Sequence, residues 1–314
     1  MLFVLLSSSC STEIGTKGST LPDGKYPLTF TSSVEGMTLT RATTDGTWME
    51  NDKVAVEVGG AVKVYTVATA NNTLSADVPF YWQSSGETKT VSAWYCGDGS
   101  TATGQTHADA VPATWSVNSD QNAGNGYQQS DFLYAPAKEI TFNDPTKSLA
   151  FYHQTARVVI NIMNADAATS ADKITSVVIG NAGNLGNLTL SGTYTAPSGI
   201  NVTAGAWDTS SGSTGTIIPK DITGSAGGIL KTYTALVIPQ DMQGKEFIVV
   251  TLSDGQVYYY TPSGSDEANL KSGQVYTYNV TVKAGKIDVI AVNNGSGSGS
   301  WGCDGSAQNI TSAP

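Results

Sequence analysis

Residues 26–41 read YPLTFTSSVEGMTLTR, and residues 42–58 continue ATTDGTWMENDKVAVEV. In the first half Tyr26, Leu28 and Phe30 alternate with Pro27, Thr29 and Thr31, the period-two pattern of a strand with one buried face. In the second half Val54, Val56 and Val58 alternate in the same way. Between them stands Arg41, in a Thr- and Gly-rich segment with no other basic residue near it. This arrangement marks Arg41–Ala42 as a processing point. The strand before it is removable, and the chain after it is then β-rich and short of one strand.

The 314 residues suit about two domains. Hydrophobic residues make up 39% and charged residues only 13%, so a core is available while the surface is mostly uncharged Thr, Ser, Gly and Asn. Thr favours strands and Gly, Asn and Ser favour turns, so the composition predicts short strands joined by many turns. No long window carries the i, i+3, i+4, i+7 pattern of an amphipathic helix. The net charge is −10. Residues 1–41 balance Glu13, Asp23 and Glu35 against Lys17, Lys25 and Arg41, so the excess acid lies entirely beyond Arg41. That sign argues against nucleic acid as a partner, because phosphate binding needs Lys and Arg.

Outward from the opening stretch, residues 1–6 (MLFVLL) are apolar and lead through SSS to Cys10. An apolar run ending in small residues and one Cys resembles the end of a bacterial lipoprotein signal peptide, with Cys10 as the lipidated residue. The basic region and long apolar stretch that normally precede it are missing, which predicts a start codon further upstream. Residues 11–21 then read as a polar tether. No other run reaches the roughly 18 apolar residues of a membrane span.

Residues 42–145 make a first β-rich unit, with strand candidates at 54–58, 62–68, 73–78, 88–94 and 132–137. Gly59-Gly60, Asn71-Asn72, Ser84-Ser85-Gly86 and 97–99 are the turn signals between them. Trp48, Trp82 and Trp94 are expected as core anchors. Residues 99–129 read as a surface excursion or irregular hairpin carrying Trp115 and Tyr127. Asn143-Asp144-Pro145 marks a boundary, since proline cannot extend a ladder. Residues 146–286 make the second unit, opening on the apolar run 149–163 and continuing through strands at 174–179, 185–190, 216–218, 233–238, 247–252, 257–260 and 275–282. Asp254-Gly255 is a hairpin signal. Residues 287–314 form a C-terminal strand (IDVIAV) and tail, with a flexible Gly/Ser spacer before Trp301. The fold class predicted is all-β, without βαβ rhythm.

Chemistry-bearing patterns are sparse. The histidines are His107, in the excursion, and His153, inside the apolar run beside Arg157. There is no HExxH, GxSxG or P-loop pattern, so no catalytic residue is assigned and the chain is not read as an enzyme. No cofactor or metal is implied. Turn carboxylates such as Asp120 or Asp304 are the only candidates for calcium, and neither belongs to a DxDxDG loop. Cysteines number three, and only Cys96 and Cys303 could bridge once Cys10 is lipidated.

The lipoprotein-like start, Leu39-Thr-Arg41-Ala-Thr, and Gly46-Thr-Trp48 followed by Asn51-Asp-Lys-Val-Ala-Val56 form an ordered series. It continues with Leu149-Ala-Phe-Tyr-His153 before Val158-Val-Ile-Asn-Ile162, and with Leu270-Lys-Ser-Gly-Gln-Val-Tyr-Thr-Tyr278 before Ile287 and Trp301. The series resembles the fimbrillin family, the type V pilins of Bacteroidales, which include major and accessory fimbrial subunits. The resemblance implies two transthyretin-like β-sandwich domains in tandem, a cleavable N-terminal strand and a C-terminal tail. It further implies export as a lipoprotein to the outer membrane and cutting after Arg41 by an arginine-specific protease. The strand containing Tyr26, Leu28 and Phe30 is then lost. Its groove is filled by a tail from another fimbrial subunit, of the same kind or accessory, with Ile287, Val289, Ala291 and Trp301 as donor residues. The implied location is the outer membrane and then an extracellular fimbria. The alternative is a fimbrial tip or monomeric surface lipoprotein that binds glycans or host proteins through Trp115 and Tyr127.

Overall fold

The computed structural model describes residues 19–35, 48–97, 109–163, 173–181, 188–200, 202–222, 228–264, 268–283 and 286–292. The regular structure of the described chain is almost entirely β-strand. In order, the first half holds β1 (Phe30–Val34), β2 (Lys53–Val58), β3 (Ala61–Ala68), β4 (Thr73–Ser75), β5 (Thr88–Cys96), β6 (Thr114–Ser116), β7 (Phe132–Thr141) and β8 (Ser148–His153). All but β6 join one sheet closed on itself, in the order β1-β4-β3-β2-β5-β7-β8. The first unit is therefore a hydrogen-bonded ring rather than two separate sheets. Val54, Val56, Tyr65, Val67, Leu74 and Phe151 fill its interior. Local sequence sets the β2–β3 hairpin. Val58 pairs with Ala61 across Gly59 and Gly60, at φ 60° and 80°, and a two-residue turn of this hand favours glycine at both positions.

The second half holds β9 (Ala156–Met163), β10 (Ile174–Ile179), β11 (Leu188–Thr189), β12 (Ser191–Thr195), β13 (Ala206–Asp208), β14 (Thr214–Gly215) and β15 (Lys220–Ile222). It continues with β16 (Ile229–Val237), β17 (Ile248–Leu252), β18 (Val257–Tyr260), β19 (Val275–Lys283) and β20 (Lys286–Val292). A five-stranded sheet, β15-β16-β9-β19-β20, and a three-stranded one, β10-β17-β18, share one core. Val158, Ile160, Tyr278 and Val280 from the first meet Val177, Ile179, Ile248 and Val250 from the second. Asp254-Gly255 lies in the β17–β18 turn, with Gly255 at φ 84°.

The apolar run 149–163 is divided between the two units. β8 pairs with β1 and β7, whereas β9 pairs with β16 and β19. The crossing is at Gln154–Thr155, past the expected boundary at 145/146; Pro145 sits instead in the turn between β7 and β8. Gln154 is fully buried. Its backbone N–H reaches Phe132 O, its amide donates to Thr203 O at 3.0 Å, and its amide oxygen accepts from Tyr194 Oη and Gly205 N at 3.0 Å each.

The expected surface excursion is corrected for its described part. Trp115 and Tyr127 are buried, and β6 pairs with β12 of the second unit. Asn122, Gly124, Asn125 and Gln129 do face solvent, but Gln121 is buried and Asn118 bonds Gly126 O. Gln121 both donates to Leu236 O (2.7 Å) and accepts from Leu236 N (2.8 Å), taking the place of a neighbouring strand.

Candidate functional site

The seam around β1 is built from four stretches of chain. Leu28, Phe30 and Ser32 point inward and are buried, while Thr29, Thr31 and Ser33 face out. Thus the alternation in the sequence is the alternation of the folded strand. β1 runs antiparallel to β4 (Phe30↔Leu74, Thr31↔Thr73) and parallel to β8 (Thr31↔Ser148 through Val34↔Phe151). It is bonded on both edges, and it closes the ring. Phe30 packs edge-on against Tyr65 at 5.6 Å. The Tyr65 hydroxyl donates to Leu28 O (3.1 Å) and accepts from Phe80 N (3.0 Å). Burial pushes the Tyr65 phenol up to about 12, so it stays a neutral donor.

Upstream of β1 the chain is also held. Leu28 N donates to Phe80 O, Trp82 N to Tyr26 O and Leu21 N to Gln83 O. Tyr26, expected on the same buried face as Leu28 and Phe30, is instead 41% exposed, with its ring at 5.7 Å from that of Phe142. The expected tether through residue 21 is corrected at its end, because Ser19–Leu21 already lie against Gln83–Ser85. Tyr65, Leu74, Phe80, Trp82 and Phe151 are the lining residues that sequence reasoning did not assign to this role. Their alternation marked them as core, but nothing local marked which strand they would meet.

The chain leaves and re-enters this seam at one residue. Glu35 N donates to Phe151 O at 2.8 Å, and the Trp48 ring packs edge-on against Phe151 at 5.1 Å. Arg41 and Ala42 belong to the intervening residues and lie outside those described, as do Cys10 and Trp301. Beside Trp48, Asp52 accepts from Met49 N at 2.8 Å, and Tyr95 packs on the indole at 5.4 Å. Burial holds the Asp52 carboxyl above the usual aspartate range, despite the bond from Met49.

The other predicted strand, β20, is placed differently. Ile287, Val289 and Ala291 are buried in the second unit's own core. Among the described residues β20 pairs with β19, from Thr277↔Val292 to Lys283↔Lys286. It is the last strand of its sheet, and Asp288 forms an ion pair with Lys283. β1 and β20 therefore sit in different sheets of the same molecule.

Other sites carry less. A cleft of about 870 Å³ at the junction of the units is lined by Tyr152, Trp207, Gln240, Asp241, Asn269 and Lys271 among others. Two of its best polar groups serve the fold: Gln240 exchanges both hydrogen bonds with Thr189, and Trp207 Nε1 donates to Gln154 O. His153 pairs with Asp131 at 2.8 Å. Asp120 uses its carboxylate to accept from Asn122 N and Ala123 N, closing a turn. Among the described residues no group of three or more His, Cys, Asp or Glu is arranged for a metal. Cys96 is buried on β5, and Cys303 lies outside the described residues.

Known structures share this architecture. A cell adhesion protein from Bacteroides uniformis, so described as putative, superposes with TM-score 0.59 at 18% identity, over 86% of this chain and 97% of that one. Another so described, from Bacteroides ovatus, gives TM-score 0.61 at 16% identity, over 89% and 99%. No curated protein sequence matches. The fimbrillin-like family model matches residues 40–296. That match begins one residue before Arg41 and runs through the last strand. The chain belongs to the fimbrillin-like family, and it is a structural, non-enzymatic fimbrial protein of the cell surface.

Proposed function

We propose that this chain is a fimbrial subunit that polymerises by strand exchange. It is exported as a lipoprotein through Cys10 to the outer membrane and cut after Arg41 by an arginine-specific protease. The cut frees β1 from the ring. A strand from a neighbouring subunit then replaces it, and the polymer supports adhesion. The carrying observation is that β1 is bonded on both edges and, together with Leu28 just before it, buries Phe30 in the first core.

Removing such a strand leaves two rows of unpaired N–H and C=O groups, on β4 and β8, above an open apolar slot. Strand addition satisfies both rows at once. A donor such as β20 gives up one bonded edge and one buried face, and gains two edges and an equivalent face. The exchange is therefore favoured by the second edge. Because the donor is already ordered in its own sheet, little new conformational entropy is lost. Each link joins the tail of one copy to the head of the next, and a head-to-tail contact that does not close makes a filament. The anchoring of both Glu35 and Trp48 at Phe151 supports the position of the cut, since cleavage between them leaves the remaining strands in place.

The test is Arg41→Ala. The variant is expected to stay a folded monomer after treatment with an arginine-specific protease, while the wild-type chain gives filaments by electron microscopy. Filaments from the treated variant would overturn the assignment of this residue.

A further inference from the structure

The seat of β1 is not uniform along its length. Leu28 and Phe30 occupy large apolar positions, lined by Tyr65, Leu74 and Phe80. Ser32 occupies a small one. It is 5% exposed, and both its backbone N–H (2.8 Å) and its hydroxyl (3.0 Å) donate to Asn72 O, so the side chain is backed closely by main chain. The seat also demands one carbonyl at a fixed place. The Tyr65 hydroxyl is fully buried and donates to Leu28 O, so any replacement strand must present an acceptor there.

The inward residues of β20 are Ile287, Val289 and Ala291, again large, large and small in chain order. We propose that the β1 seat selects its incoming strand by this large–large–small order, and that β20 of a second copy enters with Ile287, Val289 and Ala291 in the places of Leu28, Phe30 and Ser32. This inference rests on the strand-exchange reading above, and adds to it a register and a direction. The Ile287 carbonyl takes the bond from Tyr65, and β20 runs parallel to β8 as β1 does.

The alternatives each fail on a named residue. A shift of one residue places Asp288 in the Leu28 position, a carboxylate in an apolar seat. A shift of two toward the tail places Ala291 in the Phe30 position, leaving a void, and Asn293 where Ser32 was. Reversal of the strand puts Ile287 against the Asn72 carbonyl, where there is room for a small side chain only. The face β20 buries at home is thus the face it presents to its partner. Val289 fills the Phe30 position only in part, so this donor fits its new seat less fully than the strand it replaces.

The register is read by cross-linking. In the proposed alignment Ile290 replaces Thr31, whose partner across the ladder is Thr73. Directly opposed strand residues lie within disulfide reach. Full-length chains carrying Cys303→Ser and Thr73→Cys are combined with Ile290→Cys, Asp288→Cys or Val292→Cys, cut after Arg41, oxidised and run on non-reducing electrophoresis. A ladder is expected from Ile290→Cys only, and none from the same chain uncut. A ladder from Asp288→Cys or Val292→Cys alone overturns the register and leaves strand exchange standing. Filaments by electron microscopy with no ladder from any variant overturn β20 as the donor. Absence of filaments from cut wild-type chain removes the underlying reading itself.

Discussion

β1 and β20 are both buried strands near an end of the chain, yet they are held in opposite ways. β1 is bonded to β4 and β8 and completes a ring; among the described strands β20 is bonded to β19 and ends its sheet. A strand with two bonded neighbours cannot peel from one side, and releasing it needs a cut in the chain. An edge strand can separate through local opening without unfolding the core beneath it. Under the proposed exchange, the difference gives each end a role: the first supplies the vacancy, the last supplies the strand.

The sharpest way to break this comparison is to delete residues 287–314. The cut, truncated chain keeps an open seat but has nothing to donate, so filaments should be abolished. Polymers from it, seen by electron microscopy, would exclude the tail. A second experiment separates the two states of the seat. Phe30→Ala should destabilise the uncut monomer by about 3–5 kcal/mol in urea denaturation, the usual cost of truncating a buried Phe. It should leave the assembled filament unchanged, because β1 is absent from it. A filament weakened by this variant would mean that β1 stays in place.

The smallest effect concerns Asp52, at the Trp48 end of the seat. Burial raises its folded pKa above the ordinary aspartate value, so the folded chain keeps this proton to a higher pH than the unfolded chain does. Its contribution to stability therefore falls as pH rises from the ordinary value through the raised one. Asp52→Asn removes that loss. It should stabilise the uncut monomer at neutral pH, with the difference vanishing near pH 3. Urea midpoints at the two pH values check the sign.

Much of the fold could be read locally. The Leu28/Phe30 alternation, the Gly59-Gly60 turn and the Ile287/Val289 face appear in the structure as periodicity predicts, whereas in β2 Ala55 is buried as fully as Val54 and Val56, because both faces of that strand are covered. The run 149–163 reads as one or two strands, and the structure makes it two; that the first of them joins the first unit is not legible, because neither Gly nor Pro interrupts the run. Its signal was subtler: His153, Gln154 and Thr155 are consecutive polar residues amid apolar ones, and all are buried where the chain changes sheets. The region around Trp115 was misread because its hydrogen-bond partners, β12 and Leu236, lie far along the chain.

The sequence alone determined that this chain is made of strands, which face of each is apolar, and where a lone arginine separates the first strand from the rest. Those properties depend on residue period and composition, which are local. Only the tertiary structure decided that β1 closes a ring, that β8 is its parallel neighbour, and that a buried tyrosine and a small position line the place it occupies. Strand pairing joins residues distant in sequence, and a two-sided seat exists only once both sides have folded around it.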